Sequence, residues 1–262
     1  MMKKVSIIIP AHNEEKRIKK TLEEYIIYFK NLKKKKILDF EIIVVLNACS
    51  DNTLLITKKF KKKFKEIKIL DFEIGGKGFA IIKGFKDALK RKNNLIGFVD
   101  ADMATPPEAF YDLVKNINNY DGVIANRWDK RSIIKTPQTT LRKIMSRVFN
   151  FLVKWVLFLN YSDTQCGAKI FKKKALGKII VNLSITKWAF DIDLLYNLEK
   201  KGFKIKEIPT IWEDKIESKL NLTKVPLQMF LGLIRLRLVN SPFSFIVRIY
   251  NKLPEKIKVH NI

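Results

Sequence analysis

Two carboxylates one residue apart, Asp100 and Asp102, close the apolar run Leu95-Ile96-Gly97-Phe98-Val99. On an extended backbone, side chains at i and i+2 share a face, so both acids point to one side. Two converging carboxylates repel, and a hard divalent cation that also grips a diphosphate relieves that repulsion. A strand ending in an Asp-rich turn has the same letters, so the rest of the chain must decide. Gly76-Lys77-Gly78 offers a cation and backbone N–H groups ahead of a helix, a combination suited to an anion. It is not a Walker loop, because no Ser or Thr follows the lysine, and it does not follow the first strand as a dinucleotide fingerprint should. Asn13/Glu14 and Asn47/Asp51 are polar loop pairs able to hydrogen-bond a base or ribose.

These residues need a frame. Val5-Ser6-Ile7-Ile8-Ile9-Pro10 reads as a buried strand stopped by proline, followed by a helix that Asn13 is expected to cap and that carries Ile18, Leu22, Tyr25, Ile26 and Phe29. A second strand spans 41–46, with a helix opened from Ser50 or Asp51. A third covers 67–71, the Leu95 run is the fourth, and 122–125 the fifth. Strand and helix alternate over about 125 residues, which predicts an α/β fold with a mostly parallel sheet and helices on both faces. In such sheets ligands collect at the carboxyl ends of the strands, where all the loops named above fall.

The second half differs. Over 141–159, Arg142, Ser146, Asn150 and Lys154 recur every four residues, with Ile144, Met145, Val148, Phe149, Leu152, Trp155 and Val156 between them. That predicts one helix with a narrow polar stripe and a wide apolar face, either a core helix or one in contact with a membrane. The stretch 225–250 is apolar and studded with arginine, as an interfacial segment or a dimerisation surface would be. No run of 18 apolar residues occurs, and the N-terminus enters a strand directly, so neither a membrane span nor a signal peptide is expected.

Hydrophobic content of 47% with 30% charged residues indicates a folded chain. The 52 basic residues against 26 acidic ones, net +26, favour anionic partners: nucleic acid, anionic lipid or phosphorylated small molecules. Many of the lysines fall in runs at 33–36 and 58–65, the pattern of solvated helix ends. A nucleic-acid-binding protein would have no use for the paired carboxylates. Cys49 and Cys166 are too few for a disulfide framework, which suggests a reducing compartment. His12 and His260 have no metal-ligand partner at useful spacing.

In order, Ile9-Pro10-Ala11-His12-Asn13-Glu14, the turn from Val44 to Asp51, Gly76-Lys77-Gly78 and Asp100-Ala101-Asp102 resemble the motifs of family 2 glycosyltransferases with the GT-A (Rossmann-like) fold. Asp163-Thr164-Gln165-Cys166-Gly167-Ala168-Lys169-Ile170-Phe171 is similar to the branch that glucosylates dolichyl phosphate. So are Trp188-Ala189-Phe190-Asp191-Ile192-Asp193-Leu194-Leu195, and Ser218-Lys219 with Ile234-Arg235-Leu236-Arg237. The resemblance implies a metal-dependent, inverting transfer of a sugar, glucose first, from a UDP-sugar to a dolichyl or other polyprenyl phosphate. It implies a peripheral or monotopic protein at the cytoplasmic membrane face, with no nucleic-acid partner. Pro10, Ala11, Asn13, Glu14, Asn47, Lys77, Gly78 and Ala101 would line the nucleotide-sugar pocket. Asp100 and Asp102 would hold Mg²⁺ or Mn²⁺ and the diphosphate. Arg127, Arg142, Ser146 and Lys219 would grip the acceptor phosphate, so that Asp102, Arg127 and Arg142 form the catalytic group. Asp163, Gln165 and Trp188 would lie near sugar and acceptor, though a packed aromatic at a helix start suits Trp188 better.

Two positions refine this. The family's Asp-Asp-Gly-Ser turn is here Leu46-Asn47-Ala48-Cys49, so Asn47 replaces a nucleoside-binding carboxylate and leaves base or ribose preference open. The mannosyl enzymes' Gln two residues past the second acid is Ala104, as in the glucosyl branch, which favours a UDP-sugar over GDP-mannose. The expected division is a GT-A domain over 1–220, including the interfacial helix near 141–159, and a membrane-associated segment over 221–262. The alternative within the family is a soluble enzyme with a sugar or protein acceptor, which would need a general base. Asp191 and Asp193, at i and i+2 of a helix, are not expected to face one site together. Oligomeric state stays open.

Overall fold

A computed structural model describes residues 2–136, 139–183, 189–214, 224–243, 245, 247 and 249. In chain order the elements are β1 (Lys4–Ala11), α1 (Ile18–Lys34), β2 (Asp39–Asn47), α2 (Thr53–Lys63), β3 (Ile67–Phe72), α3 (Lys77–Leu89), β4 (Leu95–Val99), α4 (Pro107–Lys115), β5 (Gly122–Asn126) and β6 (Ile133–Ile134). There follow α5 (Thr140–Leu157), β7 (Ala168–Lys172), α6 (Lys173–Ile179), α7 (Phe190–Lys200), β8 (Ile205–Pro209), β9 (Ile211–Trp212) and α8 (Lys224–Val239).

Seven strands form one sheet in the order β3-β2-β1-β4-β7-β5-β8, and β6 pairs with β9 beside it. All pairings in the large sheet are parallel except those of β7, which runs antiparallel to both β4 and β5. The five expected strands alternate with helices as the pattern requires. Along β1 and β2, Ile7, Ile9, Ile42 and Val44 face a core completed by α1 and α4, while Ile8, Ile43 and Val45 face a second core beneath α3, α5, α6 and α7. This two-residue alternation buries both faces, which is why these strands read as unbroken apolar runs.

Asn13 does not cap α1. The helix starts at Ile18, and the carbonyl of Glu14 accepts from the N–H groups of Arg17 and Ile18. Asn13 has a left-handed backbone, φ 54°, and its side chain instead accepts from the Ser50 N–H at 2.8 Å. The amide joins two loops at the carboxyl edge rather than starting a helix. The next helix follows the sequence more closely: Asp51 Oδ1 accepts from the Thr53 N–H at 2.9 Å.

Helix α5 is oriented with its polar stripe inward. Arg142 reaches Asp214, and the Asn150 side-chain amide, buried, donates to the Tyr161 carbonyl at 3.0 Å. Outward, Leu141, Ile144, Val148, Phe151 and Trp155 form an exposed row, with Phe151 at 66% and Trp155 at 71%. Phe149, Val153 and Leu157 are buried in the core, with Leu152 and Val156 packed partly buried against it. Helix α8 packs against α5 and buries Leu233 and Leu236 in the same core. No helix among the described residues is long and apolar enough to cross a membrane.

Candidate active site

The carboxyl ends of β1, β2, β4 and β5 and the start of α3 meet at one edge. Asp100 and Asp102 follow β4, and Lys77 Nζ lies 2.6 Å from Asp100 Oδ1. Desolvation and the neighbouring charge of Asp100 push the Asp102 carboxyl above its ordinary pKa; the Ala104 N–H, donating to Oδ1 at 2.9 Å, and the Lys77 charge oppose this. Desolvation works against the Lys77 ammonium, but Asp100, Asp191 and Asp102 outweigh it and raise its pKa. Glu14, near both acids, is raised by desolvation, with Arg17 opposing through Nε at 2.6 Å and Nη2 at 2.8 Å. The edge therefore gathers three carboxylates, Glu14, Asp100 and Asp102, with Lys77 paired to Asp100 and Arg17 to Glu14.

The carboxylate turn is fixed from two sides. From α1, the buried Thr21 hydroxyl donates to the Ala101 carbonyl at 2.6 Å and the Tyr25 hydroxyl to the Thr105 carbonyl at 2.9 Å. From the loop before β7, Gly167 lies against Asp100, where an added Cβ would fall 1.8 Å from Oδ2. Gly167→Ala should therefore rotate Asp100 off its position and raise the donor KM at least tenfold. Steady-state kinetics check this, and an unchanged donor KM would contradict the packing role of Gly167.

The expected nucleotide-pocket residues gather at this edge, but Asn47 is engaged internally. Its amide donates to the Ala11 carbonyl at 2.9 Å and its oxygen accepts from the Gly76 N–H at 3.0 Å, so it ties the end of β1 to the lysine loop. Ala48, where the resemblance puts glycine, carries a left-handed φ of 52°, a strained conformation for a residue with a Cβ. Pro10, Ala11 and Gly78 are buried at their strand and helix ends, and Asn13 stays exposed.

The two arginines are held differently. Arg127, after β5, forks onto Asp163 with Nε–Oδ2 2.7 Å and Nη2–Oδ1 2.8 Å, and its N–H also donates to Oδ2 at 2.9 Å. The guanidinium stacks 5.2 Å from the Trp212 ring. Among the described residues the Arg142 guanidinium donates through Nη1 alone, to Asp214 Oδ2 at 2.7 Å. Ser146 sits half-buried one turn on, and Gln165 is half-buried between Asp163 and Gly167. Trp188 and Lys219 lie outside the described residues.

Sequence reasoning gave no site role to Thr21, Tyr25 or Gly167 and did not pair Lys169 with Asp191 beneath the site, although all but Thr21 lie in stretches it named. Lys169 is fully buried, donates to the Cys166 carbonyl at 2.6 Å and pairs with Asp191 Oδ1 at 2.5 Å. Asp191 thus lies between Lys169 and the Lys77 field, while Asp193 turns away to Asn197. The available signal was a lysine inside an otherwise apolar strand.

The Glycosyl transferase family 2 profile matches residues 6–180. A dolichyl-phosphate beta-glucosyltransferase of Trichomonas vaginalis is 30% identical over 252 residues, covering 93% of this chain and 76% of its own. The Homo sapiens dolichyl-phosphate beta-glucosyltransferase is 30% identical over 247 residues, covering 90% and 75%. Among solved structures, glucosyl-3-phosphoglycerate synthase from Mycobacterium tuberculosis, in complex with Mn²⁺, UDP and glucosyl-3-phosphoglycerate, superposes with a TM-score of 0.60 at 15% identity, over 90% of this chain and 79% of that one. At such identity the likeness speaks for the fold, which is of the GT-A type.

Proposed function

The chain belongs to glycosyl transferase family 2 and is a hexosyltransferase, and from that premise we propose that it moves glucose from UDP-glucose to dolichyl phosphate or a related polyprenyl phosphate at the cytoplasmic face of a membrane. The observation that carries the reading is the seat of Gly167 against Asp100: the segment resembling the dolichyl-phosphate branch is built into the carboxylate turn itself. A panel of labelled UDP-glucose, UDP-N-acetylglucosamine and GDP-mannose, offered with dolichyl phosphate, tests the donor. UDP-glucose should label the lipid fastest, and a faster reaction with GDP-mannose would overturn it.

The donor set fits a divalent cation. Asp100 and Asp102 are hard oxygen donors at one turn, and Asp102, raised first by desolvation and then by the Asp100 charge, carries a penalty that a cation would relieve. These two residues would hold Mg²⁺ or Mn²⁺, completed by phosphate oxygens and water. The bound cation would neutralise the departing diphosphate. Lys77 adds a fixed positive charge on the same side, and Glu14 with the loop that Asn13 and Asn47 brace shapes the nucleoside end.

The acceptor needs no general base. A phosphate monoester has a second pKa of about 6, so it is largely a dianion at neutral pH. One of its oxygens attacks the anomeric carbon as the bond to UDP breaks, the configuration inverts, and UDP leaves with the electron pair. Arg142 and Ser146, one turn apart on α5, hold that phosphate beside the sugar. Arg127, already forked on Asp163, contributes its remaining Nη1, and Lys219 a further contact. Asp163, Gln165 and Trp188 shape the wall around sugar and acceptor.

The lipid must enter from a bilayer, and the outward apolar row of α5 suits a helix lying in the membrane interface with its polar side turned to the site. Helix α8, packed against α5 and part of the expected membrane-associated segment over 221–262, would extend that contact. Replacing Phe151 and Trp155 together by serine should lower partition onto phosphatidylcholine–phosphatidylserine vesicles by roughly a hundredfold, from about 1.5 kcal/mol of lost burial at each position. Sedimentation reads this, and unchanged binding would assign membrane contact elsewhere.

A further inference from the structure

We propose that Asp214 is a positioning residue: it sets Arg142 for the acceptor phosphate and ties that arginine to the carboxylate turn, so that donor and acceptor groups are held in register. The proposal rests on the reading of Arg142 as a phosphate-binding residue.

The connection is short and continuous. Asp102 Oδ1 accepts from the Ala104 N–H at 2.9 Å, and the Ala104 carbonyl accepts from the Glu213 N–H at 2.9 Å. The next residue, Asp214, donates its N–H to the Thr136 carbonyl at 3.2 Å and accepts from Arg142 Nη1 at 2.7 Å. The Asp214 backbone is thus pinned at the end of the β6–β9 pair, where the Lys135 N–H also donates to the Trp212 carbonyl at 2.9 Å. One residue on each side of the Glu213–Asp214 peptide serves a different reactant: the first bonds the turn for the diphosphate, the second aims the arginine for the lipid phosphate.

The way Arg142 is held leaves it useful. A guanidinium has five N–H donors in a planar fork. Asp214 takes Nη1, and among the described residues Nε and Nη2 donate to nothing else, so the edge able to grip a phosphate with two parallel bonds stays available. Arg127 differs, because Asp163 occupies that same edge. The Asp214 and Arg142 side chains are 10% and 21% exposed, so the pair is shielded from the solvent that weakens surface ion pairs. Arginine has several rotatable bonds, and a fixed carboxylate removes most of that freedom before the acceptor arrives. A neutral amide in its place would leave Arg142 loosely aimed.

The test uses the full chain with dolichyl phosphate in phosphatidylcholine vesicles and UDP-glucose in solution. Asp214→Asn should raise the KM for dolichyl phosphate roughly tenfold, the scale of one charge-assisted hydrogen bond, and leave the KM for UDP-glucose within about twofold. With Arg142→Ala already in place, Asp214→Asn should have no further effect on acceptor use. A purely structural role would make the two losses multiply. Asp214→Glu, which keeps the charge but displaces it, serves as a second variant should the amide variant fail to fold, and should raise the acceptor KM by a few-fold. An unchanged acceptor KM in the folded Asp214 variants, an equal rise in the donor KM, or multiplied losses in the double variant would each overturn the proposal. Normal transfer by Arg142→Ala alone would instead remove the reading of Arg142 on which it stands.

Discussion

Arg142→Ala is expected to cut transfer to dolichyl phosphate by roughly a thousandfold while UDP-glucose binding stays within about twofold. A phosphate dianion brought beside a diphosphate meets strong repulsion, and Arg142 is proposed to offer it two bonds where Arg127 has one Nη1 left. Arg142 approaches from α5 with Nε and Nη2 unspent among the described residues, and two parallel charge-assisted bonds to the dianion are worth about 4 kcal/mol, or a factor of about a thousand in rate. The proposed donor site lies on other elements, β1, β2, β4 and α3, which is why its affinity should hold. Arg142→Lys should recover only part of the loss, because an ammonium lacks the fork. Steady-state kinetics with each substrate varied, and calorimetry with UDP, separate the two effects. Normal transfer, or equal loss of donor binding, would show that Arg142 does not serve the acceptor.

Asp102→Asn is expected to abolish transfer and spare the fold. Asp102 sits at the turn with Asp100, its carboxyl raised by desolvation and by that neighbour, so its charge is held against an electrostatic penalty. Removing the charge relieves the penalty, and the melting temperature should stay level or rise slightly. It also removes one of two carboxylates that would hold a cation on the diphosphate, a loss of several kcal/mol in stabilising the leaving group. Wild-type enzyme in excess EDTA should lose activity and regain it with Mg²⁺ or Mn²⁺. Binding of Mn²⁺, followed by its electron paramagnetic resonance signal in the presence of UDP, should weaken in the variant. Full activity in excess EDTA would contradict the metal assignment.

The first 125 residues are legible because β1, β2, β4 and β5 bury both faces and read as apolar runs ended by polar residues at the site, while β3, half-buried at the sheet edge, is a shorter signal. β7 is hidden by Lys169, whose charge falsifies the apolar pattern until Asp191 is seen beside it. The helix over 141–159 is legible in its periodicity but not in its direction, since a polar stripe can face water or a site. Arg142 on Asp214 and Asn150 on the Tyr161 carbonyl turn it inward, through partners 72 and 11 residues away. Asn13 has the chemistry of a helix cap, yet the Ser50 N–H across the edge claims its oxygen. The paired acids and the lysine loop are found from sequence because their spacing is local. The groups that hold them, Thr21, Tyr25 and Gly167, are 67 to 80 residues from the turn positions they touch, and nothing in their spacing ties them to it.

The central claim is that the nucleophile is a lipid phosphate already ionised, so that no side chain removes a proton from it. UDP-[¹⁴C]glucose is offered to the full chain in vesicles that contain dolichyl phosphate or, in parallel, dolichol. Label should enter the lipid phase only with dolichyl phosphate, and the rate should rise as pH passes through about 6, where the phosphate gains its second charge. Label on dolichol, or on a water-soluble acceptor in preference to dolichyl phosphate, would contradict it.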